Sequence, residues 1–182
     1  MEVKTVSDDS SEPLTLEEIK NFLRIDADYT SDDDDLIATC RGAREKLEKE
    51  LNLTFKPKVL KMQWNGDRIY IPYGPVTEVV KLTTASDEVT ELTYNISGLD
   101  FPMIGNDYCD SHYIVYPVGY NENFGLFNLT YNAGYDTLPY GLKQALLIQI
   151  DYEYKNRGMP VSDISGLALS KASQYSRNLF IQ

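Results

Sequence analysis

The chain is poor in the residues that most chemistry needs. Its 182 residues include one histidine and two cysteines. Cys40 and Cys109 make no disulfide framework, which points to assembly inside a cell. Cys109 and His112 have the spacing of half a zinc site, but the other cysteine falls on the apolar face of a helix. Four soft ligands cannot be gathered, so no metal is expected. Nucleophilic catalysis would have to use His112, and no glycine-flanked serine elbow accompanies it. A glycine-rich phosphate loop is missing too, so no cofactor is expected. Acids such as Asp107 and Asp110 have no base, nucleophile or metal set beside them to make a hydrolase. The sequence therefore reads as a non-enzyme.

Positive charge is also scarce, with 17 Lys and Arg against 28 Asp and Glu and a net charge of -11. Most of that excess is local: residues 1–35 hold twelve acidic side chains and three basic ones. Gripping nucleic-acid phosphates needs clustered Lys and Arg, so DNA is expected only as a neighbour that slides past without specific binding. No apolar run is long enough to cross a bilayer. Glu2, Asp8 and Asp9 stand where a signal peptide would be basic and then apolar. A soluble protein with no membrane association is the expectation. Fourteen tyrosines without a basic groove read as half-buried strand and interface residues, not as base-stacking platforms.

Hydrophobic residues make up 42% of the chain, enough for a core, and they fall into two regimes. Residues 1–13 are polar, closed by Pro13, and read as a mobile arm. Thr15 and Glu18 form a capping-box signature ahead of Leu16, Ile19, Phe22 and Leu23. Asp26, Asp28 and Thr30 alternate like calcium ligands, but Ser31 stands where the loop needs glycine and Ile37 where it needs glutamate. The aspartates of 32–35 instead suit a helix start, where acids complement the dipole. That helix runs to about Leu51, with Leu36, Ile37, Cys40, Ala43, Leu47 and Leu51 on one face and Arg41, Glu45, Glu48 and Lys49 opposite.

From Phe55 the pattern turns to short β-branched and aromatic runs at 59–64, 68–71, 76–84, 89–96, 113–116 and 124–131. Asn65-Gly66 predicts a hairpin between the first two. The long helix of the chain then opens at Leu138-Pro139 and stops at Gly158 and Pro160. Leu142, Ala145, Leu146, Ile148, Ile150 and Tyr152 spread over most of its circumference, beside a polar stripe of Gln144, Asp151 and Lys155. Such a helix is buried on nearly every side. Glu153 and Arg157, acid before base at i and i+4, suit an intrahelical ion pair near other helices or another subunit. Leu142, Leu146, Ile150, Glu153 and Arg157 are the candidate subunit or helix-packing residues. Leu167, Leu169, Tyr175, Leu179 and Phe180 suggest a last helix or an extended tail.

The fold class is thus α+β: a small helical bundle with an antiparallel β-rich insertion between helices two and three. The expected layout is an arm over 1–13, a bundle from 14–54 and 132–164, an insertion over 55–131, and a carboxyl-terminal helix or tail over 165–182.

The order of these pieces resembles the bacteriophage head-tail connector proteins, also called adaptor or head-completion proteins. The resemblance is carried by Leu16-Glu17-Glu18-Ile19-Lys20-Asn21-Phe22-Leu23-Arg24-Ile25, by Asp34-Asp35-Leu36-Ile37 leading into Ala43-Arg44-Glu45-Lys46-Leu47-Glu48, and by Tyr131-Asn132-Ala133-Gly134-Tyr135, Leu138-Pro139 and Tyr154-Lys155-Asn156-Arg157. The insertion beginning at Ile71-Pro72-Tyr73-Gly74-Pro75-Val76 is similar to that of the family's longer subgroup. The family often carries paired leucines and a Tyr-Arg pair near its end, whereas here Leu169 stands alone and Ser176-Arg177 follows Tyr175. The resemblance implies a ring, typically dodecameric, beneath the portal protein, extending the DNA channel and docking the next neck, stopper or tail protein. It places the chain in the virion neck, assembled in the host cytoplasm. Arg177, Leu179, Phe180 and Ile181 would then enter a groove on the portal, and truncation after Ser173 would leave a folded chain unable to join capsids. The competing reading is a monomeric binding or regulatory module that uses its β insertion.

Overall fold

The computed structural model describes residues 2–8, 11–65, 69–86, 90–97, 114–118, 126–157 and 163–176. Helix α1 spans Leu16–Leu23, and its capping box is formed: Thr15 Oγ1 accepts from Glu18 N at 3.2 Å, and Thr15 N donates to Glu18 Oε2 at 3.0 Å. Helix α2 spans Asp33–Leu51 and α3 spans Tyr140–Lys155. Helix α4, Gly166–Ala172, runs into a single 3-10 turn at Ser173–Tyr175. Leu36, Cys40, Ala43, Leu47 and Leu51 of α2 close with Leu142, Ala145, Leu146 and Ile150 of α3 and Ala172 into one core. Leu53 and Phe55, just past α2, belong to it as well.

Among the described residues six strands lie between α2 and α3: β2 (Lys58–Asn65), β3 (Ile69–Tyr70), β4 (Val76–Thr84), β5 (Tyr94–Ser97), β6 (Ile114–Pro117) and β7 (Leu126–Ala133). A seventh, β1 (Glu2–Asp8), comes from the amino-terminal segment. The larger sheet has the order β1-β2-β7-β4 and the smaller β3-β6-β5, with antiparallel pairing throughout both. Side chains of a strand alternate between faces, so Phe127, Leu129, Tyr131 and Ala133 of β7 all point one way. Leu60 and Met62 of β2 stand opposite Tyr131 and Leu129, and with Val79, Leu82 and Ile71 they form a second core. The α+β class and the insertion are as the sequence reads.

Three details differ. Residues 2–8 are not a loose arm: they pair with β2 from Glu2–Gln63 to Asp8–Lys58, which satisfies backbone groups that an exposed sheet edge would leave open. The hairpin expected at Asn65-Gly66 does not pair its flanking runs. Both edges of β2 are taken, by β1 and β7, so β3 pairs with β6 in the other sheet. Ile37 is 42% exposed, although its spacing places it on the apolar face of α2. In its place Arg44 and Glu48 turn inward, at 2% and 7% exposure. They follow Cys40 at four-residue steps, which is the helical spacing of that same buried stripe. The late glycines Gly98, Gly105, Gly119 and Gly158 and the pair Cys109 and His112 lie outside the described residues.

Candidate assembly surfaces

The helices are held to one another, and to the sheet, by three polar clusters. In the first, Lys20 of α1 is 5% exposed and its ammonium donates to the carbonyls of Ala27 at 3.2 Å and Tyr29 at 2.8 Å. Asp33 Oδ1 lies 2.6 Å from the same nitrogen. The acidic loop whose spacing imitates a calcium site is thus wrapped around a protein cation. Among the described residues no group of three or more His, Cys, Asp or Glu side chains is arranged to hold a metal ion.

The second cluster ties the start of α2 to the end of α3. Asp32 accepts from Tyr154 Oη at 2.8 Å, from Arg157 Nη1 at 3.1 Å and from Tyr29 Oη at 3.3 Å. The Arg157 guanidinium also lies 3.8 Å from the centroid of the Tyr154 ring, a cation–π contact. The expected Glu153–Arg157 pair is therefore not made. Arg157 reaches across to Asp32, while Glu153 accepts from Lys46 of α2 at 2.9 Å and from Gln149 at 2.8 Å. Gln149 is fully buried and its Oε1 accepts from Ser165 N at 2.8 Å, which fixes the chain entering α4. Both members of the anticipated pair serve as inter-element ties, because oppositely charged partners, Asp32 just before α2 and Lys46 within it, stand within reach.

The Tyr154 hydroxyl and then the Arg157 guanidinium hold the Asp32 carboxyl below its ordinary 3.8, and the same hydrogen bond raises Tyr154. Lys143 and the Thr15 backbone depress Glu18 below 4.5. A carboxyl lowered in the folded state contributes stability that is complete above its unfolded value and is lost as pH falls through its folded value. The stability difference between wild type and Asp32→Asn is thus expected to be open at pH 7. It should shrink below about pH 4, as read from urea unfolding at each pH.

The third cluster lies between the two cores. Arg44 donates through Nε to Glu12 Oε2 at 2.7 Å and through Nη1 to Glu48 Oε2 at 2.7 Å. Glu48 also accepts from Lys58 Nζ at 2.9 Å and from the Phe55 backbone at 2.7 Å. Lys56 Nζ reaches Asp8 at 3.0 Å and the Ser11 carbonyl at 3.1 Å. Burial alone would depress Arg44, but the Glu12 hydrogen bond and the charges of Glu48 and Glu12 outweigh it and raise its pKa. Nearby, burial and then the Glu12 charge push the Cys40 thiol up to about 12. A thiol so protonated is a small core hydrophobe and no nucleophile.

Leu142, Leu146 and Ile150 are fully buried within this chain's own helical core. They pack helices together and are not available as a subunit face. Arg177, Leu179, Phe180 and Ile181 lie outside the described residues. Among the described residues, the large apolar side chains that the helical half presents to solvent are Phe22, Tyr29, Ile37, Tyr140, Tyr152 and Leu167, with Tyr140 at 76% exposure. The sequence reading names Leu167 only as part of a last helix and does not single out Tyr140; the two sit in the first turns of α4 and α3. Open grooves flank the junction of the halves, one of about 390 Å³ bordered by Glu12, Lys56, Tyr135, Asp136 and Lys143.

Residues 13–95 match the model of the phage gp6-like head-tail connector protein family. No curated protein matches the chain. Solved structures do. A chain in the neck of an empty GTA particle, computed with C6 symmetry, has a TM-score of 0.75 at 18% identity, covering 99% of this chain and 98% of that one. A chain in the virion of a native gene transfer agent particle scores 0.74 at the same identity and coverage. A third, in the neck of a native GTA particle computed with C12 symmetry, scores 0.70 at 18% identity and again 99% and 98% coverage. At that identity the likeness is one of fold, and it extends over both halves.

Proposed function

We infer that this chain, carrying a head-tail connector match over residues 13–95, is a structural, non-enzymatic subunit of a virion neck. The observation that carries the reading is the agreement of two independent signals. A connector signature occupies the first half, and the whole chain has the fold of a particle-neck protein at a TM-score of 0.75. In this role the chain forms a ring, of twelve copies, beneath the portal protein. The ring extends the DNA channel and offers a docking surface to the next neck or tail protein. Ring contacts between identical subunits are heterologous, one face against a different face of the neighbour. Tyr140, Tyr152, Leu167 and Ile37 are among the exposed apolar groups of the helical half that suit such faces.

The acidic residues Asp26, Asp28, Asp34 and Asp35 are exposed. Carried around a ring, they would add negative charge, and DNA would pass without adhering.

Sizing of the purified chain alone and with portal-bearing capsids tests the reading. The expected result is a chain recovered in purified virions and a ring that appears on the capsid template. A monomer under all conditions, absent from virions, would return the chain to the class of small binding modules. The portal contact is tested by truncation. Tyr175 packs against the helical core, its ring lying over Gly141, so a cut after Ser173 would damage the fold. A cut after Ser176 removes Arg177, Leu179, Phe180 and Ile181 and spares Tyr175. The truncated chain is expected to keep its unfolding midpoint within the error of the wild type and to lose capsid attachment. Full attachment would sink the assignment of these residues to the portal.

A further inference from the structure

We propose that β1 is an exchangeable strap: it leaves the sheet edge as a unit while both cores stay closed, and in the assembled ring it lies on β2 of a neighbouring copy. The exchange between copies rests on the ring reading above; the opening of the strap does not.

Two attachments of the strap are polar. One is its backbone ladder with β2, which is itself interrupted by a register shift between Thr5 and Ser7. The other is the Asp8 carboxylate on Lys56. Residues 4–8 are all exposed, Val6 at 60%, while Val3 packs against the sheet core. Apolar burial, which holds the other strands of this sheet, contributes little here. The sockets stay behind when the strap leaves. Lys56 and Arg44, with side chains 7% and 3% exposed, are anchored by Glu12 and Glu48, and Glu12 stands two residues before the buried Leu14.

The occupant of the vacated edge is specified by the register itself. A second copy's β1 brings the same backbone, the same Val3 and the same Asp8, so the interactions broken in one copy are remade in the next. Exchange of identical elements is a low-cost route to assembly for that reason. The opposite edge cannot serve. Leu92 N already donates to Leu82 O at 2.8 Å and Tyr94 Oη to Val79 O at 3.0 Å, and two register shifts bend β4.

Amide hydrogen exchange on the full chain tests the opening. Residues 2–8 are expected to exchange at least about 100-fold faster than the amides of Leu47 and Leu146, as a sub-global opening would. Asp8→Asn should quicken β1 about threefold further without changing α2 or α3. Exchange of β1 together with the helices, or no response to Asp8→Asn, would overturn the proposal. For the exchange, Lys4→Cys with Lys61→Cys is made in a Cys109→Ser chain, since Lys4 and Lys61 are register partners. Oxidation is expected to give bonds within the free chain and a ladder of linked chains in rings assembled on capsids. Intrachain bonds alone in the rings would overturn it. Absence of any ring overturns the neck reading and the exchange with it, while amide exchange still decides the opening.

Discussion

Arg44→Met is expected to destabilise the fold by about 3 kcal/mol, as measured by urea unfolding at pH 7. Breaking a buried charge cluster from one side typically costs about 3–5 kcal/mol, because the surviving charges stay buried with fewer partners. Methionine keeps most of the volume of the side chain, so the loss reads electrostatics and hydrogen bonding more than a cavity. The lower end of the range applies because Glu48 retains Lys58 and the Phe55 amide, and Glu12 retains Lys56. Lys155→Met serves as the control. Its ion pair with Asp151 is made by a side chain 69% exposed, and an exposed pair contributes about 0–1 kcal/mol. Equal losses in the two variants would mean that the Arg44 cluster is not a structural tie.

Gly134→Ala is expected to cost more, about 3–5 kcal/mol, and to lower the yield of folded chain. Gly134 follows β7 directly and has φ +121°, a region open essentially to glycine. A Cβ built there would sit 2.2 Å from the Lys56 carbonyl oxygen and 2.9 Å from Pro57 N. Those are backbone atoms, so no side chain can swing aside to make room. The Gly134 amide also donates to the Pro75 carbonyl at 2.9 Å. Gly42 within α2 is the contrast, since a Cβ there meets nothing within 4 Å. Gly42→Ala should stabilise by roughly 0.5–1 kcal/mol through helix propensity. A thermal-melt comparison of the two variants checks both signs.

What the sequence discloses, and what it withholds, follows from how far each signal reaches along the chain. The capping box at Thr15 and Glu18, the apolar stripe from Leu36 to Leu51 and the helix opening after Pro139 are local patterns, and each appears where the spacing puts it. Strand identity was likewise legible for β2, β4 and β7. Pairing was not. Asn65-Gly66 is a strong turn signal, yet the partners of β2 come from Glu2–Asp8 and Leu126–Ala133, which no short-range pattern announces. The run Glu2-Val3-Lys4-Thr5-Val6-Ser7-Asp8 looked unstructured because an edge strand with one buried contact needs few apolar residues. Arg44 and Glu48 looked like surface charges because the groups that neutralise them, Glu12 and Lys58, lie on other elements. Glu153 and Arg157 look like each other's partners because four-residue spacing is all a local pattern can show, whereas they pair with Lys46 and Asp32.

The threading of β7 and α3 has a consequence for how the polypeptide matures. β7 separates β2 from β4 in the larger sheet, and α3 supplies the facing wall for α2. Both come after residue 125, beyond the 13–95 span that carries the connector signature. A nascent chain emerging from the ribosome therefore holds α1, α2, β2 and β4 with neither hydrophobic surface covered until its last third has been translated. The stretch that matches the family model is therefore expected to fold only once β7 and α3 have joined it.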